Sequence, residues 1–181
     1  ESVETIDGET YGPLKALCET AVENALPGRT LTVRPGLIVG PDDHSFRLPY
    51  WVERLSQGGD VLAPGRPDRP VQVVDVRDLA LWILANLEAK TTGTFNVTGP
   101  DYELTFRDFL RRSIAVFGSS ADPIWVDDAF LVAREVGAWV EMPLWIPGDE
   151  APGLEQVSIR KALATGLTFR PIEETVRDTL A

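Results

Sequence analysis

The chain has 181 residues, 28 Asp and Glu against 17 Lys and Arg for a formal net charge of −11, and a hydrophobic share of 44%. That is roughly one ordinary domain with enough apolar side chains for a core, and 15 Gly with 14 Pro fall short of a low-complexity composition. The charge argues against nucleic acid and anionic membranes as partners, the lone cysteine against internal disulfides, and the short apolar runs against a spanning helix, so a cytoplasmic protein is expected.

In chain order, helix-like and strand-like segments alternate, and no repeat is visible. The sequence opens at Glu1 among polar, loop-like residues without an initiator Met, and is expected to be a piece of something longer. Leu14, Leu17, Cys18, Ala21, Val22, Ala25 and Leu26 recur at three and four, predicting a helix from Pro13 to Leu26 that Pro27-Gly28 stops. Cys18 reads as a small buried apolar residue on it. The almost continuous run Thr30 to Val33, ending at Arg34-Pro35-Gly36, suits a strand covered on both faces, as in parallel sheets. Leu37-Ile38-Val39 leaves that strand and turns at Gly40-Pro41-Asp42-Asp43. A helix is expected from Phe46 to Ser56, then a turn at Gly58-Gly59 and short strands at Val61 to Ala63 and Val71 to Val74.

Asp75 and Asp78 are spaced as a capping pair for a helix with Leu79, Trp82, Ile83 and Leu87 on one face. Phe95 to Val97 forms a strand before the turn at Gly99-Pro100. Thr105 and Asp108 repeat the capping spacing for a helix that runs to Gly118. Ile124 to Val126 reads as a strand, followed by a helix starting near Asp127. Met142 to Pro152, with three prolines and Trp145, reads as an ordered apolar loop. A short helix from Ile159 to Ala164 closes at Gly166, and Pro171 opens a last helix in its first turn. This alternation indicates an α/β fold, with the segment from about Gly40 to Ala63 outside the regular layer.

The sharpest chemical signal is Tyr11-Gly12-Pro13-Leu14-Lys15. Residues four apart at a helix start project from one face. A phenol with an ordinary pKa near ~10 is a poor base at neutral pH, and a neighbouring ammonium favours its ionised form. Such a pair can give a proton to a carbonyl oxygen or take one from an alcohol.

Tyr11 and Lys15 followed by Arg34-Pro35-Gly36 resemble, in order and spacing, the short-chain dehydrogenase/reductase superfamily, and within it the extended, epimerase/dehydratase-like branch. Leu37 to Pro41, Gln72 to Ala80, Gly93 to Val97 and Gly166 to Pro171 extend the resemblance over nearly all of residues 11 to 181. It implies the C-terminal part of a Rossmann-like, doubly wound parallel sheet, with residues 1–40 and about 71–100 as its remaining elements. About 41–70 and 101–181 would form a small α/β substrate-binding lobe. It further implies NAD or NADP as cofactor, Tyr11 as acid/base, and Lys15 lowering the phenol's pKa while holding the nicotinamide ribose. Pro35, Gly36, Leu37 and Ile38 would pass close to the nicotinamide ring, and Arg47, Tyr50 and Trp51 would line the pocket for a small-molecule substrate. A homodimer through the Tyr11 helix is a further implication. The family's Ser or Thr partner and its glycine-rich phosphate turn do not occur in the chain, so this length alone is expected to be inactive and to bind cofactor poorly.

His44, in a polar turn after Asp42-Asp43, reads as a solvated residue, and no metal site is expected. The five Trp read as core and loop anchors rather than a stacking platform. Three functions follow from the residues and the resemblance. The first is a reductase or dehydrogenase of a small carbonyl or alcohol, and the second a nucleotide-sugar epimerase or dehydratase. Against the second, Leu37 to Val39 are apolar and Val71 precedes Gln72, departing from that group's polar residues. The third is a non-catalytic cofactor-binding protein, against which the intact Tyr11–Lys15 pair argues.

Overall fold

The computed structural model describes residues 6, 7, 10–148 and 156–180. In chain order these form α1 (Tyr11–Ala25), β1 (Leu31–Pro35), β2 (Leu37–Val39), α2 (Arg47–Ser56), β3 (Gly59–Pro64), β4 (Val73–Asp75) and α3 (Val76–Glu88). There follow β5 (Gly93–Val97), α4 (Phe106–Phe117), β6 (Ala121–Val126), α5 (Asp128–Val132), α6 (Arg160–Ala164) and α7 (Ile172–Thr179). The named strands pair in parallel as β1 with β5, β2 with β4, and β3 with β6. The α/β class expected from the alternation holds.

Local chemistry sets the boundaries. The Asp75 carboxylate caps α3 by accepting from the Arg77 backbone N–H at 2.9 Å. Thr105 caps α4, its Oγ1 accepting from the Asp108 N–H at 3.1 Å while its hydroxyl donates to the Asp108 carboxylate at 3.0 Å. Gly118 ends α4 in the left-handed region, at φ 59°. Pro171 stands just before α7 rather than within its first turn. Leu37 to Val39, expected to leave the preceding strand and turn, leave β1 and form a strand of their own, β2, with Leu37 in register with Val73 and Val39 with Asp75. Three apolar residues between turns are too few to show a strand period, and their partner lies 36 residues downstream.

Two apolar cores form. The larger gathers Leu48, Trp51, Val52 and Leu55 of α2 with Phe106, Phe109 and Leu110 of α4, Leu131 of α5, and Ile172 and Val176 of α7. Trp51 is fully buried, donates its indole N–H to the Pro143 carbonyl at 2.9 Å and meets Phe106 edge-on at 5.0 Å. The smaller core collects Val74, Leu79, Trp82, Phe95 and Val97 with Ala162 and Leu167. Alternation along β4 sends Val73 into the first core and Val74 into the second, so this strand is covered on both faces and joins them.

Of the expected Met142–Pro152 loop, residues 142–148 are turns with Met142, Leu144 and Trp145 buried, and 149–152 lie outside the described residues. No helix among the described residues is long and apolar enough to cross a membrane.

Cys18 is exposed, contrary to the expectation of burial. None of α1's residues is buried, so its apolar spacing reflects a side that the described residues do not cover.

Candidate active site

Tyr11, Lys15, Glu19 and Glu23 follow one another at four-residue steps along α1, each step about 6 Å of rise and about 40° of rotation. The last two fasten the helix to the strand beside it. Arg34 donates to Glu19 through Nε at 2.8 Å and Nη2 at 2.5 Å, a two-pronged ion pair, and its hydrogen bonds hold the Glu19 carboxyl below the ordinary range. Glu23 accepts from the Thr30 hydroxyl and, at 2.8 Å, from the Gly28 backbone N–H, and these bonds lower its pKa too. Glu23 therefore sits at the beginning of β1 and Glu19 near its end. Continuing the row by one and two steps carries Lys15 and then Tyr11 past the carboxyl end of the strand. In open parallel sheets that end is where ligands bind.

Tyr11 is 58% exposed, and neither it nor Lys15 makes a side-chain hydrogen bond among the described residues. The ring hydroxyl and the ammonium are free to meet a ligand. The residues before the helix fix its start. Asp7 and Thr10 exchange bonds, Thr10 N–H to the Asp7 carboxylate at 2.8 Å and Asp7 N–H to Thr10 Oγ1 at 2.9 Å.

The segment from Pro35 to Ile38 leaves β1 and enters β2. Gly36 donates its N–H to the Val97 carbonyl at 3.1 Å, and a Cβ on it would stand 2.2 Å from Thr98 Oγ1. Only glycine lets the chain pass so close to the end of β5. Thr98 is buried, and its Oγ1 has no hydrogen-bond partner among the described residues. Ile38 is 40% exposed.

The other sequence-predicted residues lie on α2. Arg47 stacks its guanidinium over Trp139 at 5.2 Å, and Tyr50 is partly exposed and edge-on to Trp51 at 5.1 Å. Trp51 faces the core, as described above. His44 is exposed, Asp43 accepts from the Ser45 N–H at 2.8 Å, and no cluster of metal-ligating residues occurs among the described residues. A hollow of about 420 Å³ lies between α1 and the β1–β5 pair, lined by Glu19, Glu23, Thr30, Thr32 and Thr94 among others, without Tyr11 or Lys15.

Sequence reasoning saw Asp75 and Asp78 as caps and missed the charge network they anchor. Asp75 is 4% exposed and accepts from Arg77 Nε at 2.9 Å, Arg77 Nη2 at 2.8 Å and the Thr175 hydroxyl at 2.8 Å. Burial alone would raise its pKa. Hydrogen bonds from Arg77 and Thr175, with the Arg170 charge, outweigh that and hold it below the ordinary value. Arg170 donates to Asp78 at 2.9 and 2.8 Å, and Arg77 to Asp178 at 2.5 Å. The one signal in the sequence is that Arg77 and Arg170 each stand close to a helix start.

No protein-family model and no curated protein matches the chain. Solved structures do. A Burkholderia cenocepacia protein assigned as an epimerase superposes with a TM-score of 0.66 at 21% identity, covering 99% of this chain and 55% of that one. RMD from Pseudomonas aeruginosa, complexed with NADPH, gives 0.62 at 16% identity over 92% of this chain and 52% of that one. The UDP-glucose 4-epimerase of Thermotoga maritima, with UDP-glucose, gives 0.61 at 19% identity over 94% and 50%. The chain thus spans about half the length of these structures, and what it shares with them is the Rossmann-like α/β fold.

Proposed function

We propose that this chain supplies the acid/base helix and the substrate-side portion of an NAD(P)-dependent oxidoreductase acting on a small carbonyl or alcohol, of the extended short-chain dehydrogenase/reductase kind. The observation that carries the reading is the row Tyr11–Lys15–Glu19–Glu23, pinned to β1 so that its first two members extend beyond the strand's carboxyl end. The NADPH complex of the Pseudomonas aeruginosa structure supports the cofactor class.

In this reading the nicotinamide, when bound, supplies or accepts the hydride. The Tyr11 hydroxyl gives its proton to the substrate's carbonyl oxygen in reduction and takes it back in oxidation. Lys15, uncommitted to any hydrogen bond within the described residues, places its ammonium against the ribose hydroxyls. The residues fit that group, because both donors stand at the strand end and neither is spent on the protein. Pro35, Gly36, Leu37 and Ile38 form the floor beside the ring. Arg47 and Tyr50 face the substrate, with Trp51 backing them from the core. The exposed side of α1, with Leu17 at 63% and Val22 at 50%, would form the surface of a homodimer in a cytoplasmic enzyme.

The test is turnover by the full-length protein with NADH or NADPH and a carbonyl substrate. Tyr11→Phe is expected to lower the rate at least about 100-fold, the scale of general acid catalysis. An unchanged rate would overturn the role. A second reading, a nucleotide-sugar epimerase, uses the same pair and is favoured by the UDP-glucose 4-epimerase among the similar structures. Interconversion of a sugar nucleotide without net consumption of added cofactor would select it.

A further inference from the structure

Among the described residues, three arginines gather between α4 and α7, helices that carry none of the residues proposed for the reaction. A hollow of about 380 Å³ between α4 and α7 is lined by Arg111, Arg112, Ala115, Val116, Glu173 and Arg177. Three guanidiniums against one carboxylate leave this hollow with an excess of two positive charges, on a chain whose net charge is −11.

The three arginines differ in how far they are committed. Arg112 donates to Glu173 at 3.1 Å and stacks over the Tyr102 ring at 5.3 Å, so it is held in place and largely neutralised. Arg111 has only a long 3.4 Å contact with Asp108 and is 70% exposed, a weak pair. Arg177 makes no side-chain hydrogen bond or ion pair among the described residues. Arg177 therefore faces the hollow with its donors unspent and Arg111 with all but its one long contact to Asp108, beside a third guanidinium that Glu173 already holds. Repulsion between them is unfavourable unless an anion sits between them.

We propose that this hollow binds a phosphoryl group, with Arg111 and Arg177 as its donors and Arg112, fixed by Glu173, as the wall that positions it. A carboxylate is satisfied by one guanidinium fork, whereas a phosphoryl group carries close to two charges and three acceptor oxygens at neutral pH, matching two forks. Ala115 and Val116 add a small apolar part to the lining, and the donors come from both α4 and α7.

The probe is inorganic pyrophosphate, titrated calorimetrically into the full chain at low ionic strength, with citrate as the carboxylate comparison. Saturable binding of pyrophosphate, at least about tenfold tighter than citrate, is the expected result. Arg111→Gln and Arg177→Gln together are expected to weaken it by at least about tenfold, the loss of a charge-assisted hydrogen bond, with the thermal midpoint unchanged because both side chains are exposed. Arg134→Gln, whose guanidinium stacks on Phe130 outside the hollow, is expected to bind like the parent. Absence of saturable binding, equal affinity for citrate, or undiminished binding in the double variant would each overturn the proposal. The last outcome would also catch an ion seated at a cofactor phosphate site elsewhere.

Discussion

Gly36 and Asp75 show how much a single position carries. A methyl group at Gly36 would meet Thr98 Oγ1 at 2.2 Å and Thr98 Cβ at 2.6 Å, so either the β1–β2 connection or the end of β5 must shift. Gly36→Ala is expected to cost about 1–3 kcal/mol, the range for overpacking, read from urea unfolding. Asp75→Asn removes the negative charge from beneath Arg77 and Arg170, and a cost of about 3–5 kcal/mol is expected from the same measurement. Legibility differed between the two. Pro35-Gly36 stood out as a break after a strand, yet the close approach depends on Thr98, some sixty residues away in sequence. The capping role of Asp75 was local and readable. Its bonds to Thr175 and Arg170 come from the end of the chain and have no spacing rule.

Among the elements, α1 is the least embedded and the one on which the proposed chemistry depends. Its attachment to β1 rests on Arg34 with Glu19 and on Glu23 with Thr30 and Gly28. Arg34→Ala is expected to lower kcat severalfold while moving the thermal midpoint little, since the pair is solvent-exposed and screened. Steady-state kinetics and a melting curve on the same preparation check both halves, and a large fall in the midpoint with unchanged kcat would contradict it. Helices with a clear period, α1 and the capped α3 and α4, were legible to within a few residues. Two failures share a cause. Short β2 and exposed Cys18 are both decided by what lies alongside them, which periodicity does not report.

At the scale of the molecule, the carboxylates that tie the C-terminal segment to the start of α3 make stability depend on pH. The folded pKa of Asp75 lies below its unfolded value of about 3.9, so the native state binds fewer protons there. Its contribution is complete above the unfolded pKa and disappears as pH falls through the folded one. Stability is therefore expected to be flat from neutral pH to about 5 and then to decline as acid is added below about 4. Urea midpoints measured across that interval check this, and Asp75→Asn should flatten the decline.

The parallel pairing has a kinetic consequence. Leu31 meets Gly93 and Gly59 meets Ala121, each 62 residues on, and the nearest pairing, Leu37 with Val73, spans 36. No named strand can zip up with a neighbour across a tight turn, so each sheet must wait for a long loop to close. Helices such as α3 and α4 will form in microseconds and then idle while distant segments search for one another. Stopped-flow refolding should show helical ellipticity recovered well before the fluorescence of buried Trp51 and Trp82, and the interval between them is when this chain is most exposed to aggregation.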